Sequence, residues 1–144
     1  MKKAKRKWVC NGLIILMALC MLSTSALAAV ADGNKILPRY VGITQINATL
    51  SIDKTDKATC ESVVTLKNPT YRADVTMTLY RSSDGSKWTS IKSWSDSGKG
   101  RVTPSENYYV LSGYYYKVEV TAKVYNAAST LLETVSAASE TVYH

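Results

Sequence analysis

The feature that most constrains this chain is a period of two. From Tyr114 to Tyr125 the residues alternate without a break. Tyr114, Tyr116, Val118, Val120, Ala122 and Val124 fall on one side of an extended backbone; Tyr115, Lys117, Glu119, Thr121, Lys123 and Tyr125 fall on the other. Successive side chains of a strand point to opposite faces, so this segment can bury one face and wet the other. The same period returns in shorter runs. Ile46, Ala48, Leu50 and Ile52 share a face within residues 40–52, as do Ala58, Cys60, Ser62, Val64 and Leu66 within 58–66, and Val75, Met77 and Leu79 within 74–81. Residues 87–95, 102–111 (interrupted by Pro104) and 130–144 complete a set of seven. Turn chemistry separates them: Asn68-Pro69, Ser83-Asp84-Gly85, a polar loop at 96–100 with two glycines, Ser112-Gly113, and residues 126–129.

Seven short alternating strands in about 100 residues predict an all-β fold, a seven-stranded immunoglobulin-like antiparallel sandwich. No segment after residue 28 sustains a 3.6-residue apolar period, so the crossover helices of a parallel α/β sheet are missing. The sandwich is expected over residues 38–144, after a signal peptide at 1–28 and a short polar tether at 29–37. Lys2, Lys3, Lys5, Arg6 and Lys7 form a basic start, residues 13–22 are an unbroken apolar run, and Ala26-Leu27-Ala28 is a small-x-small cleavage site. The run is shorter than a bilayer requires. The expectation is therefore a secreted, extracellular protein with no membrane partner after cleavage.

Export changes what charge and cysteine content mean. The formal charge is +7, but five of the 18 basic residues sit in the leader with no acid beside them, leaving 13 against 11. A surplus of two, spread along the chain, offers no electrostatic footprint for phosphate, so nucleic acid is not an expected partner. Cleavage also removes Cys10 and Cys20. Cys60 then has no intrachain partner, and its place in an alternating run reads as a small buried hydrophobe with a structural role.

Two resemblances enter here. Leu111-Ser112-Gly113-Tyr114-Tyr115-Tyr116-Lys117-Val118-Glu119-Val120 resembles the sixth-strand segment of fibronectin type III domains, where a Tyr precedes V-x-V. That resemblance implies that Tyr116 is the tyrosine-corner residue, its hydroxyl bonded to backbone upstream. The usual Pro before the Gly is absent, and so is the usual early core Trp. The chain also resembles a family of small secreted β-sandwich proteins from Gram-positive, Firmicutes-type bacteria. The segments that carry this are Ile36-Leu37-Pro38-Arg39-Tyr40-Val41-Gly42-Ile43, Ala58-Thr59-Cys60, residues 75–94 (VTMTLYRSSDGSKWTSIKSW) and residues 112–125 (SGYYYKVEVTAKVY). The resemblance implies secretion and a sandwich, and it implies no activity.

Chemistry-bearing motifs are sparse. Ser51-Ile52-Asp53-Lys54 matches S-x-x-K, but that spacing serves acyl transfer only on a helix turn; on a strand it points the two side chains apart. The only His is His144, expected to be frayed and solvated, so imidazole catalysis and His-based metal sites are not expected. Asp53, Asp56, Glu61 and Asp74 are scattered and read as solvating acids. Asn47-Ala48-Thr49 is a glycosylation sequon without evident meaning in a bacterial protein. No P-loop, G-x-S-x-G, H-E-x-x-H, C-x-x-C or EF-hand loop is present, and no cofactor is expected.

The one sharp feature is the hairpin over residues 75–95, where register decides the reading. A three-residue loop Ser83-Asp84-Gly85 pairs Tyr80 with Trp88 and Met77 with Ile91. It sends Ile91 inward and lines the outer face with Tyr80, Trp88 and Trp94. A two-residue loop flips every side chain of the returning strand, taking both Trp residues inside together with Lys92. Burying an unpaired ammonium costs several kcal/mol, which favours the first register; a bulge that admits one Trp is its competitor. Outward rings of Tyr80, Trp88 and Trp94 would serve as a ligand-binding strip for a sugar or a protein partner, or only as cross-strand pairs that stabilise the sheet. The functional expectation is a non-catalytic extracellular or cell-wall-layer interaction module. Its partner would be a cell-wall or host glycan or a surface protein. The alternative is a carbohydrate-binding module using the aromatic strip, and a small secreted enzyme ranks behind both.

Overall fold

Alternation is carried into the structure as two layers. The computed structural model describes residues 40–144, which belong to one compact unit beginning at Pro38. The expected signal peptide (1–28) and tether (29–37) lie outside the described residues. Nine strands run in the order β1 (Ile43–Ile52), β2 (Lys57–Leu66), β3 (Arg72–Ser82), β4 (Thr89–Lys99), β5 (Arg101–Val102), β6 (Ser105–Tyr109), β7 (Tyr115–Tyr125), β8 (Leu131–Ala138) and β9 (Val142–Tyr143). One sheet has β2 at its centre, with β1 on one edge and β5 and β6 in line on the other. The second has the order β4-β3-β7, with β8 and β9 in line beyond β7. Every pairing is antiparallel. Counted by position, there are seven strands, three facing four.

The two splits have local causes. Pro104 has no N–H to give a ladder and divides β5 from β6, although its carbonyl still accepts from Ser62 N at 3.0 Å. Between β8 and β9, Ser139 N still donates to Val118 O at 2.8 Å, but the Ser139 hydroxyl takes the place of a ladder carbonyl and accepts from Val118 N at 2.9 Å. Burial follows the period of two. Val118, Val120, Ala122 and Val124 of β7 are fully buried against Val75, Met77 and Leu79 of β3 and Cys60 and Val64 of β2. Burying an aliphatic side chain of this size contributes about 1.5–3 kcal/mol, and this layer is where most of the stability resides.

The start of the domain is tied across the sandwich. The Glu133 carboxylate of β8 accepts backbone N–H groups from Val41 (2.9 Å), Gly42 (2.6 Å) and Ile43 (3.0 Å). Gly42 has to be glycine, because a Cβ there would lie 2.8 Å from Val124 Cγ1.

Three expectations need correction. Residues 96–99 are not a loop; β4 continues through them to Lys99. The hairpin does not adopt the three-residue-loop register. The connection runs over residues 83–88, Tyr80 lies opposite Ser90, and a bulge at Ile91 shifts the ladder so that Met77 lies opposite Trp94. His144 is not frayed. Its backbone exchanges hydrogen bonds with Tyr114, and Nε2 lies 2.7 Å from Asp56 Oδ1 with the side chain only 19% exposed.

Candidate functional site

β3 and β7 lie side by side in the middle of the four-stranded sheet, paired from Arg72↔Tyr125 to Ser82↔Tyr115. Their outward positions make the face that the sandwich does not cover. On β3 these are Arg72, Asp74, Thr76, Thr78 and Tyr80; on β7 they are Tyr115, Lys117, Glu119, Thr121, Lys123 and Tyr125. None is aliphatic.

One end of this face is aromatic. Tyr80 stands opposite Lys117, whose ammonium lies 5.6 Å from the Tyr80 ring centroid and 4.7 Å from that of Trp88. Both distances are within cation–π range. The same ammonium is 2.7 Å from Glu119 Oε1, and the Lys117 side chain is 20% exposed. Next along β7, Tyr115 packs against Tyr143 of β9 with centroids 4.9 Å apart and planes tilted by 57°. Tyr143 itself is 64% exposed. Across the sheet the order is Trp88, Tyr80, Lys117 and Tyr115, then Tyr143.

The 83–88 connection places Trp88. Asp84 organises it: its Oδ1 accepts from Ser86 N (2.8 Å), Lys87 N (2.8 Å) and the Ser82 hydroxyl (2.9 Å). The Lys87 and Ser86 amides, then the Ser82 hydroxyl, hold the Asp84 carboxyl below the usual aspartate range. Gly85 takes φ +73° and sits over Tyr115; a Cβ there would touch the Tyr115 ring at 3.8 Å. The chain thus curls over the aromatic end and returns with Trp88 beside Lys117.

Hydroxyls fill the middle of the face, and Arg72, Asp74, Lys123 and Tyr125 lie at its far end. Thr78 shares a hydrogen bond with Ser93 (2.8 Å) and Thr121 with Ser136 (2.9 Å), while Thr76 is paired with Ser95 on one side and Thr121 on the other. A shallow depression of about 390 Å³ runs past Asp74, Thr76, Ser95 and Ser97. Arg72 is held by Asp74 at 3.0 Å and lies 4.9 Å from the Tyr125 ring centroid.

The strip of Tyr80, Trp88 and Trp94 is therefore not one surface. Tyr80 and Trp88 come together on the outer face. Trp94 turns inward, packs against the core and meets Tyr108 of the other sheet edge-on, with centroids 6.4 Å apart. The Ile91 bulge makes this possible: it puts Lys92 and Trp94 opposite the inward Leu79 and Met77, and at this sheet edge the Lys92 side chain still stays exposed, so no ammonium is buried. Sequence reasoning puts Tyr115 and Lys117 on the outward face of their strand but does not bring Lys117 to the rings of Tyr80 and Trp88, and it misses Tyr143. Nothing local signals Tyr143, since only the β9–β7 pairing brings it there.

The remaining candidates occupy other places. Cys60 is fully buried, and burial first, then the Glu106 charge, push its thiol up to about 12, which leaves no thiolate for chemistry at neutral pH. Tyr116 is fully buried; its hydroxyl donates to Leu111 O (2.6 Å) and accepts from Leu111 N (3.1 Å). Asn47 of the sequon lies within β1, its side-chain oxygen taken by Val63 N at 2.9 Å. A second groove of about 180 Å³ on the opposite sheet is lined by Asn47, Thr49, Glu61, Thr103 and Ser105 among others. Among the described residues no helix is long and apolar enough to cross a membrane, and no cluster of three or more His, Cys, Asp or Glu could hold a metal ion.

No family model matches the chain, and no curated protein does. Among solved structures it is similar to the solution structure of CsgH from R. palustris, at 10% identity over 65% of this chain and 90% of that one, with a TM-score of 0.40. It is also similar to part of the crystal structure of β-glucuronidase from Parabacteroides merdae, at 19% identity over 70% of this chain, with a TM-score of 0.43. The chain spans 13% of that enzyme.

Proposed function

We propose that the chain is exported and works without catalysis, as an interaction module in the extracellular space or cell-wall layer. Its contact surface is the outer face of the four-stranded sheet. The observation that carries the reading is the aromatic end of that face, where Trp88 and Tyr80 flank the Lys117 ammonium and Tyr115 packs with Tyr143 beside them. Large rings that keep exposed area while their polar ends reach water are the side chains that most often anchor contacts. The leader in the sequence supports export. The three-facing-four arrangement and the Tyr116 tie fit the fibronectin type III-like pattern, an architecture shared by many cell-surface domains.

The test is binding of the labelled chain to washed cell-wall fragments of Gram-positive bacteria. Trp88→Ala and Tyr80→Ala are expected to weaken binding about tenfold or more while lowering stability by no more than about 1 kcal/mol. Full binding by both variants, or equal losses of binding and of stability, would leave these rings with the structural role alone.

A further inference from the structure

We propose that the occupant of this face is an uncharged polysaccharide lying along the strands. The inference rests on the contact-module reading above and goes further by assigning the ligand's chemistry.

The outer face offers two kinds of group in separate zones. At one end are rings, which accept the C–H face of a pyranose as they accept any weakly polar, flat apolar surface. Beyond them are hydroxyls on neighbouring strands. Each Ser or Thr hydroxyl donates one hydrogen bond and accepts two, so the Thr78–Ser93 and Thr121–Ser136 pairs keep unused capacity after bonding each other. The Lys117–Glu119 pair adds donors and acceptors at the boundary between the zones. From Tyr80 to Asp74 the face runs about 20 Å at the rise of an extended strand. It is open throughout, with a shallow trough rather than a pocket. That shape suits a chain of sugars rather than one sugar.

The charges decide between neutral and acidic glycans. Lys117 is closed onto Glu119 at 2.7 Å and Arg72 onto Asp74 at 3.0 Å, and Lys123 stands opposite Asp74 in the ladder. Among the described residues Lys123 makes no ion pair, so an anionic polymer would meet one free ammonium on these two strands and would have to take the other two cations from their carboxylates. A neutral one meets ion pairs already balanced and bonds to both members. A protein partner is disfavoured because, beyond the rings, the outward positions of β3 and β7 carry hydroxyls and charged groups, and Lys, Glu, Asp and Ser are depleted at the cores of protein interfaces.

The test is affinity electrophoresis of the purified full chain through gels containing hydroxyethylcellulose, galactomannan or arabinoxylan, with polygalacturonate as the acidic counterpart. The expected result is retardation in at least one neutral gel, insensitive to added salt. Trp88→Ala and Tyr80→Ala should restore free mobility. Thr78→Val, which keeps volume and strand preference but removes a hydroxyl, should reduce the retardation in part. The inference is overturned by free migration in every neutral gel, by retardation only in polygalacturonate that salt abolishes, or by retardation that survives all three substitutions. Its failure is separable from that of the parent reading. Wall binding that still needs Trp88 and Tyr80 but is destroyed by protease treatment of the wall would keep the module and replace the glycan with a protein.

Discussion

Tyr116 shows how much a single hydroxyl can organise. Its ring is buried under β7, and its hydroxyl closes both the N–H and the C=O of Leu111, five residues upstream. Burial raises its pKa while the Leu111 bond opposes the rise, so the phenol stays neutral across the physiological range. Tyr116→Phe keeps the ring and strips both partners. It should cost about 1–3 kcal/mol, read in urea as a lower midpoint with an unchanged slope; an unaltered midpoint would show that water replaces the hydroxyl at no cost. At this scale legibility depended on whether a residue's environment was local. Cys60 and Tyr116 could be placed because the strands that bury them alternate cleanly around them. Trp94 could not, because its orientation depends on one extra residue at Ile91, and a bulge leaves no mark in a run of Ser, Lys, Ile and Trp. The pairing of His144 with Asp56 was equally hidden, since 88 positions separate them.

Among the elements, β7 was the most legible and β4 the least, and the reason is position in the sheet. β7 is central and covered on one face, so burial imposes a strict period on eleven residues. β4 is an edge with one partner, and most of its residues are exposed. Polar and charged residues such as Lys92, Asp96 and Lys99 guard such an edge against a second partner. They also make the end of the strand look like a loop, although the ladder continues to Arg72↔Lys99. The connection into β4 depends instead on Asp84. Its carboxylate caps the Ser86 and Lys87 amides, and the folded pKa lies below the unfolded one. The cap is therefore fully present above the usual aspartate value and is lost as pH falls through the lowered one. Asp84→Ala should abolish amide-exchange protection at Ser86 and Lys87 while protection on β7 persists. In the native chain, the same two amides should stay protected until the pH drops below the ordinary aspartate value of 3.8. Protection that disappears near neutral pH would assign the loop to another anchor.

At the level of the whole molecule, the two tryptophans of the sandwich have opposite duties, and this separates what holds the layers together from what the layers present. Trp94 reaches from the β4 edge toward β6 and meets Tyr108 across the gap between the sheets, closing an end of the core that small side chains would leave open. Trp88 stands outside both sheets on the Lys117 ammonium. A half-buried Trp that also makes an edge-on aromatic contact should cost about 2 kcal/mol on truncation to Ala, which in a domain of this size lowers Tm by roughly 10 °C. Trp88 lies outside the core, and losing its contact with the Lys117 ammonium should cost about 0.5–1 kcal/mol. The prediction is therefore a crossed pair: Trp94→Ala melts earliest and keeps surface binding at temperatures where it is folded, whereas Trp88→Ala melts closer to the parent chain and loses binding. Thermal melts by far-ultraviolet circular dichroism, run beside wall-fragment binding on the same preparations, read both quantities. If Trp88→Ala proves the more destabilised, the outer rings are part of the scaffold. If Trp94→Ala leaves Tm unchanged, the sandwich closes without the Trp94–Tyr108 contact, and the Ile91 bulge must be explained by something other than the need to bring Trp94 inside.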